Sequence, residues 1–278
     1  MTAILTTPLS DLAAWVEHLS RIDIPVLPET IRMLGDSAAL EDSIDAHQLA
    51  DIIVRDPLMC VKLYRHMANL RRGSQITDIE SITGCLVMMG VPPFFRQFAS
   101  LTPVAAAPGT TQRMWQGFGD VLGRAQRAAG FAFEWAVRRN DLDAEIIATA
   151  ALLHDFTEML LWCVAPTLAT KVQDSLARHP GMRSSEAQMA FLGVEVDEIQ
   201  RELMRHWRLP ALLVRISDDT AGTDPQVRNV NLAVALARHS ARGRDDPALP
   251  DDYAALGELL NISALQARRL VADDEAAP

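Results

Sequence analysis

The sequence predicts an all-α protein, and three observations carry that prediction. No segment alternates apolar and polar residues with the period of two that a half-buried strand needs. Apolar residues recur instead at three- and four-residue spacings, and the segments open on capping residues. Aromatic residues make up only 5% of the 278 residues, while Leu, Ala and Met are plentiful. Such a composition suits aliphatic packing between helices.

Taken in order, Ser10 reads as the N-cap of a first amphipathic helix over residues 11–19, with Leu12, Trp15, Val16 and Leu19 on one face. Ile24-Pro25-Val26-Leu27-Pro28 is a stiff lead-in, because its prolines exclude helix interior. A short helix over 29–35 is expected to stop at Gly35. Asp45 and Gln48 have the spacing of a capping box for a helix burying Leu49, Ile52 and Ile53. Asp56-Pro57 is an N-cap carboxylate followed by proline at the first helical position, with Val61, Tyr64 and Met67 on one face. Thr77 and Glu80 suggest another capping box, for a helix that buries Ile79, Ile82 and Leu86, ends at Gly90 and precedes one begun by Pro92.

The small, breaker-rich run PVAAAPGTT at 103–111 reads as a linker between two helical halves. A long helix over 114–139 follows, then one capped by Asp143 and running to about Val164. Further helices are expected over 171–179, 186–192, 198–207 and 210–217. After a polar break at 218–224, helical patterns cover 227–242 and 252–271, with Ser263 resembling a cap and the acidic tail fraying.

Composition narrows the function classes. The chain is 49% hydrophobic and 22% charged, with formal charge −10, so as a whole it would repel a phosphate backbone. Arg71-Arg72 and Arg138-Arg139 are short basic clusters of the kind found at solvated helix ends, and nucleic acid is not an expected partner. Cys60, Cys85 and Cys163 sit in apolar runs without metal or redox spacing. No basic leader precedes an apolar segment, and no apolar run is read as reaching membrane-spanning length. A cytoplasmic protein that does not engage membranes is expected. The P-loop, dinucleotide-binding and nucleophile-elbow motifs are missing. Met88-Met89 and the tryptophans at 15, 115, 135, 162 and 207 fit core or groove positions; a Met-rich surface could receive partner helices, but core packing is the expected use.

One pair carries possible chemistry: His154-Asp155, expected inside a helix, with Glu158 four residues after His154 and able to pair with it. On a continuous helix the two side chains would point about 100° apart, so one metal could be shared only with help from another element.

Several segments together resemble the HDOD (HD-related output domain) branch of the HD superfamily. They are Ile24-Pro25-Val26-Leu27-Pro28, Ile52-Ile53 leading to Asp56-Pro57, Leu63 to Asn69, Ile76 to Ile82, and Met89-Gly90. Leu152-Leu153-His154-Asp155, Glu186-Ala187, Leu192-Gly193 and Trp207-Arg208-Leu209-Pro210 continue the match over about residues 22–220. The resemblance implies an HD-superfamily-like helical bundle with an N-terminal helical subdomain. Residues 1–21 would be an N-terminal helix, 22–102 the N-terminal half, 103–111 the linker, 112–220 the HD-like half and 225–278 a C-terminal extension.

The departures from the family are as informative. Catalytic HD enzymes hold a divalent metal with an upstream His, the HD pair and a distant Asp. Here the upstream position falls on Ala125, and a further His position falls on Val196. Phe156-Thr157-Glu158 stands where the family often has Ile-Gly-Lys. The resemblance therefore implies a vestigial pair, no bound metal or other cofactor, and a non-catalytic bacterial signalling scaffold. A rebuilt site from His154, Asp155, His206 and Asp218, giving a metal-dependent phosphohydrolase, stays open; Asp218-Asp219 otherwise reads as a solvated helix end. So does binding of a nucleotide second messenger through Arg124, Arg127 or Arg205. A groove involving Arg124, His154, Asp155, Glu158 and His206 is the expected place for a protein partner or a small ligand, and homodimerisation is a further possibility.

Overall fold

The computed structural model describes residues 4–39, 43–70, 79–105, 111–179, 181–217, 223–241, 243 and 245–274. Arg71-Arg72, Thr77, the middle of the expected linker, Asp218-Asp219 and the last four residues lie outside them. Among the described residues the protein is helical, and its one β-type pairing is the isolated bridge between Val26 and Pro103. The all-α prediction is right.

Cα packing sorts the chain into two units, and they are interleaved along the sequence. The first comprises Met1–Leu122 and Asp155–Pro210, the second Gly123–His154 and Ala211–Pro278. The sequence reading divided the chain end to end, at 103–111. Residues 103–104 do not hang free: Val26 donates to Thr102 O at 2.9 Å, and Val104 donates to Val26 O at 2.8 Å.

In the first unit, α1 (Leu12–Arg21) is capped by Asp11, whose carboxylate accepts from Ala14 N at 2.9 Å. Ser10, the expected cap, instead donates to Asp11 at 3.0 Å. Trp15 is fully buried, and its indole N–H donates to Leu192 O at 3.1 Å, so the ring's polar edge is satisfied. Helix α2 (Pro28–Ala38) runs through Gly35 rather than ending there. Arg32 explains the extension by pairing with Glu29 and with Asp36, on both sides of the glycine.

The capping box of Asp45 and Gln48 opens α3 (Ala46–Ile53) as expected. Asp56, fully buried, opens α4 (Pro57–Leu70). Its carboxylate accepts from Leu58 N at 3.0 Å, Met59 N at 3.1 Å and Leu27 N at 2.8 Å, tying the proline-rich lead-in to the helix start. Burial pushes this carboxyl above its ordinary range, although the same N–H donors pull it back. Helix α5 (Ile82–Met89) starts later than the Thr77–Glu80 reading implied, because Ser81 is its cap and accepts from Gly84 N at 3.0 Å. Gly90, at φ 81°, turns the chain into α6 (Val91–Gln97).

The long helix α7 (Thr111–Arg138) begins in the first unit and ends in the second. Continuing the first unit, α9 (Phe156–Val164), α10 (Pro166–Arg178), α11 (Ser184–Leu192) and α12 (Val196–His206) follow the intervening α8 (Ala144–Leu152). The second unit adds α13 (Ala211–Ile216), α14 (Pro225–Ser240), α15 (Leu249–Leu260) and α16 (Ala264–Asp274). Asp143 does not cap α8 with its side chain; it accepts from Gln226 Nε2 at 2.9 Å. Asn229, fully buried, donates to Ala132 O at 3.2 Å. The single helix expected over 252–271 is two, since Asn261 adopts φ 55° and the Ile262 carbonyl lies 2.8 Å from where a Cβ on Gly257 would be. Ser263 does cap the last helix.

The apolar stretch Ala144–Val164, with mean hydropathy 1.4, is long enough to cross a membrane, contrary to the sequence reading; 72% of it is buried inside the protein.

Candidate functional site

The stretch from 144 to 164 does not form the single helix that the apolar pattern suggested. Helix α8 stops at Leu152, α9 starts at Phe156, and Leu153, His154 and Asp155 form a turn between them. The turn tightens where Leu153 N bonds Thr149 O at 2.9 Å and His154 N bonds Ala151 O at 3.3 Å, three residues back. His154 and Asp155 therefore leave the backbone from a break, where the 100° helical offset no longer applies. His154 falls in the second unit and Asp155 in the first. His154, Asp155 and Glu158 are half-buried, and each is engaged in an interaction of its own.

Behind this turn, Thr157 is fully buried and its backbone N–H donates to Gln200 Oε1 of α12 at 3.3 Å. Phe156 packs on Trp207, with ring centroids 5.9 Å apart, and the Arg65 guanidinium lies 5.7 Å from the Trp207 ring centroid. The Trp-Arg-Leu-Pro motif thus closes α12. Arg208 takes φ 54°, and Leu209 N bonds back to Met204 O at 3.0 Å.

A divalent metal, which the HD superfamily implies, finds no matching donor set. Ala125 and Val196 are buried side chains without donor atoms. Among the described residues no three His, Cys, Asp or Glu side chains are grouped to hold an ion. The residues do not fit the metal.

The expected ligand groove is not assembled as one site within either unit. Arg124 and His154 belong to the second unit, while Asp155, Glu158 and His206 belong to the first. Arg124 is half-buried and engaged. Arg127 donates to Ala237 O at 3.1 Å, and Arg205 is paired with Glu202 at 2.5 Å. His206 is exposed at the end of α12 and borders an open, largely apolar groove of about 610 Å³ against α1, with Leu12, Val16 and Glu202 among its walls.

A second groove, about 680 Å³, lies where the ends of α4, α5 and α6 meet. Met67, Leu70, Met88, Met89 and Pro93 supply its apolar lining, with His66, Gln97 and Arg96 beside them. The sequence allows core or groove positions for Met88-Met89 and favours core packing. Instead Met88 is 43% exposed and Met89 half-buried. The face of α5 that packs inward carries Ile82, Cys85 and Leu86, so Met88 falls on the other side of the helix. Of the tryptophans, Trp115 is 36% exposed. His66 meets the edge of Phe98 at 5.5 Å, and burial lowers its pKa below the ordinary 6.5.

The fold is similar to that of the MmoQ response regulator from Methylococcus capsulatus str. Bath, with a TM-score of 0.68 and 17% identity, over 91% of this chain and 99% of that one. It is also similar to a virulence factor from Campylobacter jejuni subsp. jejuni, with a TM-score of 0.67 and 19% identity, over 90% of this chain and 89% of the other. No curated protein matches. The HDOD domain family model matches residues 24–219, from the proline-rich lead-in through the Trp-Arg-Leu-Pro turn and beyond α13, and the chain belongs to the HDOD domain family.

Proposed function

We propose that this chain is a signal-transduction module that acts by binding a protein partner and not by hydrolysing a phosphoester. One observation carries the non-catalytic part: alanine and valine, both buried, stand at the positions where the resemblance to HD enzymes puts metal-binding histidines. A two-donor remnant at a helix break cannot hold a transition metal or magnesium against water in the way three or more donors do. Family membership supports the signalling part, and the similarly folded MmoQ protein is a response regulator. A cytoplasmic location goes with this reading.

The test is metal analysis of the purified full chain together with hydrolysis of a generic phosphodiester in added manganese or magnesium. Substoichiometric metal and no turnover that depends on His154 are expected. Near-stoichiometric metal with an activity abolished by His154→Ala would overturn the proposal.

A further inference from the structure

We infer that the groove between the ends of α4, α5 and α6 is a docking site for an amphipathic helix with acidic flanks, presented by a partner protein. The inference rests on the partner-binding reading above and adds where the partner sits and what chemistry it carries.

Three properties of the groove select that occupant. Its apolar wall opens onto the surface, with Leu70 60% exposed and Met88 43% exposed at the rim. Three of the side chains, Met67, Met88 and Met89, are methionines, whose unbranched thioethers adapt to apolar partners of varied shape. The walls are helices, and no strand edge among the described residues stands beside them to pair with an extended peptide. A helix laid against helical ridges, with anchors at i, i+3 or i+4 and i+7, is the fitting geometry.

Charge selects the flank. Arg96 is exposed in the last turn of α6 and forms no ion pair among the described residues. Among the described residues no carboxylate lines the groove, although the chain has 36 acidic residues against 26 basic ones. With His66 lowered by burial, Arg96 is the lasting positive charge there among the described residues. A carboxylate on the partner helix would meet it without opposition, and a basic flank would be repelled. A second copy of this acidic chain is disfavoured by overall charge.

The experiment is selection of a displayed library of helical peptides, about five turns long, against the folded full chain. Competition with variants follows. Enriched peptides should carry an apolar i, i+4 stripe flanked by Asp or Glu. Met88→Glu should weaken them at least about tenfold. Arg96→Glu should weaken them about three- to tenfold and turn selection toward Lys- or Arg-flanked helices. Both positions are exposed, and unchanged circular dichroism confirms that the variants fold. The inference is overturned by no enrichment, by binders indifferent to both variants, or by basic-flanked binders of the wild type. Self-association that Met88→Glu abolishes would overturn it too, in favour of a second copy. Metal-dependent turnover in the hydrolysis assay would sink the non-catalytic reading while leaving the peptide result standing, so the two failures are distinguishable.

Discussion

Replacing Gly117 by alanine should destabilise the protein even though alanine is the better helix former. A Cβ at Gly117 would fall onto the six-membered ring of Trp162, with Cε2 at 2.5 Å and Cζ2 and Cη2 nearer still. Trp162 is 2% exposed and cannot swing away without disturbing its neighbours. The helix-propensity gain is about 1 kcal/mol. Overpacking a filled core costs about 1–3 kcal/mol, and more when a tryptophan must leave its rotamer. The net expectation is a loss of about 0–2 kcal/mol, and more if Trp162 leaves its rotamer. Gly119, two residues along the same helix, has nothing within 4 Å of the equivalent Cβ. Gly119→Ala should therefore gain about 0.5–1 kcal/mol from helix propensity and the reduced freedom of the unfolded chain. Urea unfolding followed by far-ultraviolet circular dichroism would compare the two variants, with an expected gap of about 0.5–3 kcal/mol. Equal stability of the two would refute the close approach of α7 to Trp162.

Other perturbations test other parts of the fold. Asp56→Ala removes the acceptor of three N–H groups around a fully buried carboxylate; the loss should be about 3 kcal/mol after allowing for the carboxylate's own desolvation, and a urea midpoint shift worth under about 1 kcal/mol would contradict it. Burial lowers the His66 pKa below 6.5, so its contribution to stability is complete above that pH and is lost as pH falls through the lowered value. The stability difference between wild type and His66→Gln should accordingly shrink between about pH 7 and pH 5, and a pH-independent difference would argue against burial of the imidazole. For Asp23, burial acts upward but the Lys62 ammonium and Thr102 hydroxyl outweigh it and hold the carboxyl below 3.8. Its stabilisation is present above that value and lost on further acidification, and Asp23→Asn should flatten the acid limb of the stability profile. Ser263→Ala should cost about 1 kcal/mol at the start of α16, measurable as earlier amide exchange in that helix.

What the sequence revealed follows from how local each cause is. Asp45 with Gln48, and Asp56 with Pro57, cap their helices through atoms two or three residues away, and they were legible. Gly35 was read as a stop because glycine often ends helices, but the outcome was set by Arg32 bridging Glu29 and Asp36. The break at His154-Asp155 was invisible, since the apolar run continues on both sides and no glycine or proline interrupts it. Asn261 could have been seen as a left-handed helix end, because asparagine tolerates that conformation, and it directly precedes Ile262 and the recognised cap Ser263. Of the site, the donor-less positions 125 and 196 were readable from spacing within the family pattern. Whether the methionines face the core or a groove was not, because exposure of Met88 depends on which face of α5 finds a neighbour.

The interleaving of the two units sets an order of events during synthesis. The chain passes from one unit to the other after Leu122, after His154 and after Pro210. A ribosome that has released only the first 122 residues has exposed α1 to α6 without α9 to α12, so Trp15 awaits the carbonyl of Leu192. Neither unit can be excised as one uninterrupted fragment. Contacts this distant in sequence close slowly, and the half-made chain carries its apolar faces uncovered until residue 210 has emerged.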